Sequence, residues 1–118
     1  DRDLKTANFY GKEPRLASSH NGTGLVKDTV LFSENDFKTN LRFIRYMVLP
    51  PRTSIGFHKH GDNEEVYIIL KGNGIMKVNE AELEVKPGDV ILNEPFDSHG
   101  LLNNSDSDME ILVFEVTR

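Results

Sequence analysis

The chain has 118 residues, a net charge of −5 and no cysteine. That sets a single compact domain as the expectation and excludes a disulfide framework, thiolate catalysis and any cysteine-based zinc or iron–sulfur site. The acidic balance argues against a phosphate-backbone binder, no apolar run approaches the ~20 residues of a membrane helix, and Asp1 to Thr6 carry no apolar signal region, so a soluble cytoplasmic protein without nucleic-acid or membrane partners is expected.

Residues 1–24 are polar and irregular and read as an N-terminal arm, with Leu4, Phe9, Tyr10 and Leu16 as its apolar handles. Residues 25–32 suit a first strand, and Ser33 caps a turn or single helical turn through Phe37, with Asp36 three residues on. Residues 41–49 (LRFIRYMVL) are aromatic and branched, and Pro50-Pro51 ends that strand because proline cannot donate to a ladder. A strand over 65–70 follows, then the tight turn Lys71-Gly72-Asn73-Gly74. Residues 75–78 and 81–85 flank Asn79-Glu80 as a hairpin, and Lys86-Pro87-Gly88-Asp89 is the next turn. Strands over 90–92, 100–103 and 109–116 complete the set, with a polar loop over 103–108. No segment sustains a helical period. Short strands broken by turns at roughly 8–12-residue intervals indicate a sandwich or closed barrel.

The chain has four histidines, and their placement carries the chemistry. His58 and His60 are two apart, so extended backbone puts both imidazoles on one face. Glu65 opens the next strand beyond a turn that can fold it back onto that face, and His99 lies beside a later strand that a closed barrel brings inward. Glu64 competes with Glu65, but has the opposite parity. Three imidazoles and one carboxylate make a borderline-soft N/O donor set suited to Zn, Mn, Fe, Ni or Cu. The residues alone leave the bland alternative standing: a solvated histidine pair beside a surface acidic patch. His20 lies in a polar loop and is expected to face solvent.

The spacing His58-x-His60-x4-Glu65-x6-Gly72, followed by Pro87-Gly88-Asp89 and His99-x3-Asn103, resembles the two motifs of the cupin family. The similarity covers residues 41–116. Three departures affect loop shape: Arg52 stands where the family's first motif opens with glycine, Pro95 precedes His99 by four residues rather than five, and the family's glycine between those two is replaced, with Asp97 nearby. The resemblance implies a double-stranded β-helix, the jelly-roll barrel of single-domain cupins, over residues 1–118. It also implies a divalent transition metal held by His58, His60, Glu65 and His99.

Parity then assigns the lining. With Glu65 inward, Tyr67 and Ile69 point inward and Val66, Ile68 and Leu70 outward. With His99 inward, Leu101 and Asn103 follow it, leaving Gly100 and Leu102 outside. Tyr67 is a candidate pocket residue. Arg42 and Arg45 have opposite parity, so one of them can enter the barrel and meet an anionic substrate. The outward apolar residues call for a covering sheet or a second subunit, and the resemblance implies a homodimer, with residues 1–32 available for exchange between subunits. The expected function is that of a small metalloenzyme acting on an oxygenated metabolite such as a sugar, keto acid or enediol, by dioxygenase or isomerase/lyase chemistry. The alternative is a non-catalytic module that binds or senses a sugar-like small molecule.

Overall fold

The computed structural model describes residues 4–118. In chain order the strands are β1 (Arg15–Ala17), β2 (Val26–Ser33), β3 (Leu41–Leu49), β4 (Ser54–Lys59), β5 (Asn63–Lys71), β6 (Gly74–Val78), β7 (Ala81–Val85), β8 (Val90–Asn93), β9 (Ser98–Leu102) and β10 (Met109–Thr117). They form two antiparallel sheets, a six-stranded one in the order β1-β2-β3-β10-β5-β8 and a four-stranded one in the order β4-β9-β6-β7. No α-helix occurs among the described residues, and no helix is long and apolar enough to cross a membrane. The expected helical turn is the single 3-10 turn Glu34–Asp36, where the Asp36 carboxylate accepts the Ser33 N–H at 3.0 Å.

Two-residue periodicity sorts the side chains as expected. Along β5, Glu65, Tyr67 and Ile69 are buried while Glu64 and Leu70 are exposed; along β10, Met109, Ile111, Val113 and Glu115 are buried. Because β10 pairs with both β3 and β5, residues fall into rows across the inner face. One row runs Arg45–Val113–Tyr67 and the next Phe43–Glu115–Glu65. Arg45 is therefore the inner-face arginine and Arg42 the outer one. The facing inner surfaces bury Leu49, Ile55, Ile69, Met76, Leu101 and Ile111 among others, each contributing about 1.5–3 kcal/mol by leaving water.

Three features differ from the expectation. The arm is not wholly irregular, since Arg15–Ala17 pairs with β2, and of its four apolar residues Leu4, Tyr10 and Leu16 are exposed while Phe9 stacks on Tyr46 at 4.3 Å. His99, expected beside a strand, lies inside β9, and His58 lies inside β4. Gly100, expected outside, is buried. The pairing of β4 with β9 slips between Ile55 and His58, and a Cβ on Gly100 would lie 3.0 Å from the Cα of Phe57. This bulge re-aims the histidine strand, and glycine is the residue that lets the two backbones come that close.

Candidate metal centre

His58 and His60 stand on β4 and just beyond it, His99 directly opposite His58 on β9, and Glu65 on β5 of the other sheet. The two sheets thus converge at one end of the barrel. His60 Nε2 lies 2.8 Å from His99 Nε2 and 3.1 Å from His58 Nε2. The Glu65 Oε1 lies 3.3 Å from His60 Nε2 and 3.2 Å from His99 Nε2. The three histidines come together, and Glu65 reaches two of them, His60 and His99, while Glu64 is exposed.

The hydrogen bonds behind this cluster set its chemistry. The Nδ1–H of His58 donates to the Gly56 carbonyl at 2.7 Å, and the Nδ1–H of His60 to Asn63 Oδ1 at 2.9 Å. In the metal-free chain the His60 Nε2–H donates to Glu65, and once that proton is shed the rings turn Nε2 lone pairs toward one another and toward a carboxylate. Such a convergence of acceptors repels itself unless protons or a cation lie between them. Donors held ~2.1 Å from one ion and at right angles stand about 3.0 Å apart, close to the separations of His60 from His58 and His99 and of Glu65 from His60 and His99. The second bonds also fix the tautomer, as is usual for metal-ligating imidazoles.

Protonation follows from the same contacts. Burial pushes Glu65 up, but hydrogen bonds from His60 and His99 outweigh it and hold the carboxyl at about 2. His60 is raised chiefly by its hydrogen bond to Glu65, with burial opposing. Burial pulls His58 down to about 4 and pushes the Tyr67 hydroxyl well up. The Tyr67 ring lies 5.1 Å from that of His99, beside the cluster.

The sequence reading missed two residues. Glu115 is buried beside Glu65 in the register, with Oε1 3.8 Å from His60 Nδ1, and burial together with the charge of Glu65 raises its carboxyl. Its signal was available, because Glu115 continues the inward alternation of Ile111 and Val113. His20 is exposed, as its loop setting implied, yet its ring stacks on His58 with centroids 3.5 Å apart. It is thus a neighbour of the cluster and not the remote solvent-facing residue expected. Arg45 lies at the same end: burial lowers His20 and raises Tyr67, and the Arg45 charge adds slightly to the first and opposes the second; Arg45 sits 3.6 Å from Asp28, and its buried Nε has no hydrogen-bond partner.

Two antiparallel sheets closed around three imidazoles and a carboxylate define the class, a small jelly-roll barrel whose one polar end can hold a metal. The chain belongs to the cupin family, whose domain model matches residues 45–115. It is 34% identical over 99 residues to a protein of Thermotoga maritima named oxalate-binding protein, covering 84% of this chain and 82% of that one. The crystal structure of a predicted oxalate decarboxylase from Thermotoga maritima superposes with a TM-score of 0.92 at 30% identity, over 96% of this chain and 99% of that one. An uncharacterised protein of Methanocaldococcus jannaschii is 32% identical over 82 residues, 70% of this chain and 66% of that protein.

Proposed function

We propose that this cupin holds one divalent transition metal through His58, His60, Glu65 and His99 and binds there a small acid of the oxalate class. The observation that carries the reading is the convergence of three Nε2 atoms and a carboxylate oxygen, with the His58 and His60 Nδ1 protons already engaged. The metal, when bound, supplies Lewis-acid polarisation of the ligand's oxygens. The chain's own part is charge and proton placement. Arg45 offers a guanidinium to a carboxylate, and Tyr67 a buried hydroxyl that stays protonated. The name of the Thermotoga maritima relative supports the ligand class, and Arg45 supports an anion over a neutral sugar. Turnover is favoured by one feature, a second carboxyl, Glu115, beside Glu65, its proton affinity raised by burial and by the Glu65 charge; a carboxyl is the type of group that passes a proton to a product such as formate.

Elemental analysis followed by titration calorimetry tests this. One metal per chain is expected, and oxalate should bind the loaded protein with a 1:1 stoichiometry, ahead of pyruvate or a monosaccharide. Arg45→Gln should weaken oxalate about ten- to a hundredfold, the range for a lost hydrogen bond to a charged group, with metal content unchanged. Oxalate that fails to bind, or that binds the Arg45→Gln variant equally well, overturns the ligand assignment. Release of formate and CO2 separates an enzyme from a binding module.

We also infer that two copies pair through the outer face of the six-stranded sheet, where Val90 is 63% and Leu92 56% exposed on β8. Light scattering should return twice the chain mass of 13.4 kDa, and a single-chain particle at micromolar concentration overturns the dimer.

A further inference from the structure

We propose that segment 19–22 of the N-terminal arm is a clamp that positions His58, with His20 as its positioning residue. Its contacts all converge on one imidazole. The Gly56 N–H donates to the Ser19 carbonyl at 2.9 Å, and the Gly22 N–H closes a turn on the same carbonyl at 2.9 Å. Gly56 in turn offers its own carbonyl to His58 Nδ1–H. The His20 ring then lies flat on His58, with an interplanar angle of 7°. The Gly56 carbonyl holds the Nδ1 proton, and the stacked His20 ring keeps the imidazole in the plane where that bond forms, so the tautomer depends on both contacts.

The arm is built for this approach. A Cβ on Gly22 would lie 2.2 Å from the Ser54 carbonyl oxygen, and one on Gly56 would lie 2.0 Å from the His20 carbonyl oxygen, so backbone touches backbone with no room for a side chain. His20 and Asn21 both take left-handed backbone, at φ 49 and φ 58. Non-glycine residues adopt that conformation seldom and hold it only where their surroundings over-determine it. There is also a reason for His58 to need the help. His60 and His99 are each held by Glu65, whereas among the described residues no such ion pair reaches His58.

The clamp's effect on a metal rests on the metal-binding reading above; its hold on the ring does not, and the two are tested separately. Long-range ¹H–¹⁵N NMR of the metal-free chain should show His58 as a single Nδ1–H tautomer, a tautomer mixture in His20→Ala, and the single tautomer restored in His20→Phe, whose ring can still stack. Co(II) affinity, measured by chelator competition, should fall about two- to tenfold in His20→Ala, the range for losing one ring pair, and stay within about twofold in His20→Phe. An unchanged His58 tautomer in His20→Ala overturns the clamp, as does a His20→Phe variant disturbed as much as His20→Ala. An altered tautomer with unchanged Co(II) affinity overturns its role toward the metal. If the unaltered chain binds no Co(II), the metal reading fails by itself, and the NMR comparison still decides the clamp.

Discussion

Chelating the metal-loaded protein is expected to lower its melting temperature by roughly 15 °C, and restoring the metal should reverse the loss. A ligand present at a thousandfold excess over its Kd stabilises the folded state by about 4 kcal/mol, and a domain of this size shifts by ~4 °C per kcal/mol. His60→Ala, His99→Ala and Glu65→Gln should each remove most of the increment. Glu64→Gln should keep it, because Glu64 is exposed on the opposite face of β5. Equal loss in the two glutamate variants would sink the ligand assignment.

The increment should also depend on pH, with a sign set by two histidines. His58, pulled down to about 4 by burial, is already neutral near pH 7 and ready to ligate. His60 is raised above 6.5, chiefly by its hydrogen bond to Glu65, so a metal must displace a proton there and the increment shrinks as pH falls through that raised value. In the chelated protein the same proton acts in the opposite sense. The His60–Glu65 interaction stabilises fully below the unfolded value of 6.5, and that contribution is lost as pH rises through the raised folded value. Melting curves of the loaded and chelated forms should therefore diverge with rising pH; a separation that narrows would contradict the site.

Asn103→Ala is expected to cost about 3–5 kcal/mol by denaturant titration while leaving the metal content of the folded fraction unchanged. Asn103 is fully buried. Its Nδ2 donates to the Leu49 carbonyl at 2.8 Å and the Ser107 carbonyl at 2.7 Å, and its Oδ1 accepts from the Ser105 N–H at 3.0 Å and the Ser105 hydroxyl at 2.7 Å. The side chain ties the loop after β9 to the end of β3. Alanine removes these bonds, each worth about 1 kcal/mol, and strands buried carbonyls at ~1–3 kcal/mol apiece. A loss under ~1 kcal/mol, or a loss of metal from protein that remains folded, would show that Asn103 is not the structural tie described here. Its parity with His99 marked it as inward; its partners show what it does there.

Parity was readable from the residues alone. The alternation in EEVYIIL placed Glu65 inward and Glu64 outward, and the His-x-His spacing put two imidazoles on one face, because side-chain direction in a strand has a period of two. Parity relates residues only within a strand, however. It separated Arg42 from Arg45 without saying which one enters; the pairing of Arg45 with Val113 across β3 and β10 decides that. Glu115 lay on an inward parity too, yet its place beside Glu65 comes from the β5–β10 register. His20 shows the limit most plainly. A polar loop of Ser, His, Asn and Gly is legible as a turn, whereas its stacking on His58 depends on Gly22 and Gly56 bringing two backbones into contact. Strand periodicity and ligand spacing are local properties, and the residue order determines them directly. Which strands pair, in which register, and where the arm lies against the barrel are settled by hydrogen bonds and packing between segments far apart in the chain, which leave no local pattern to read.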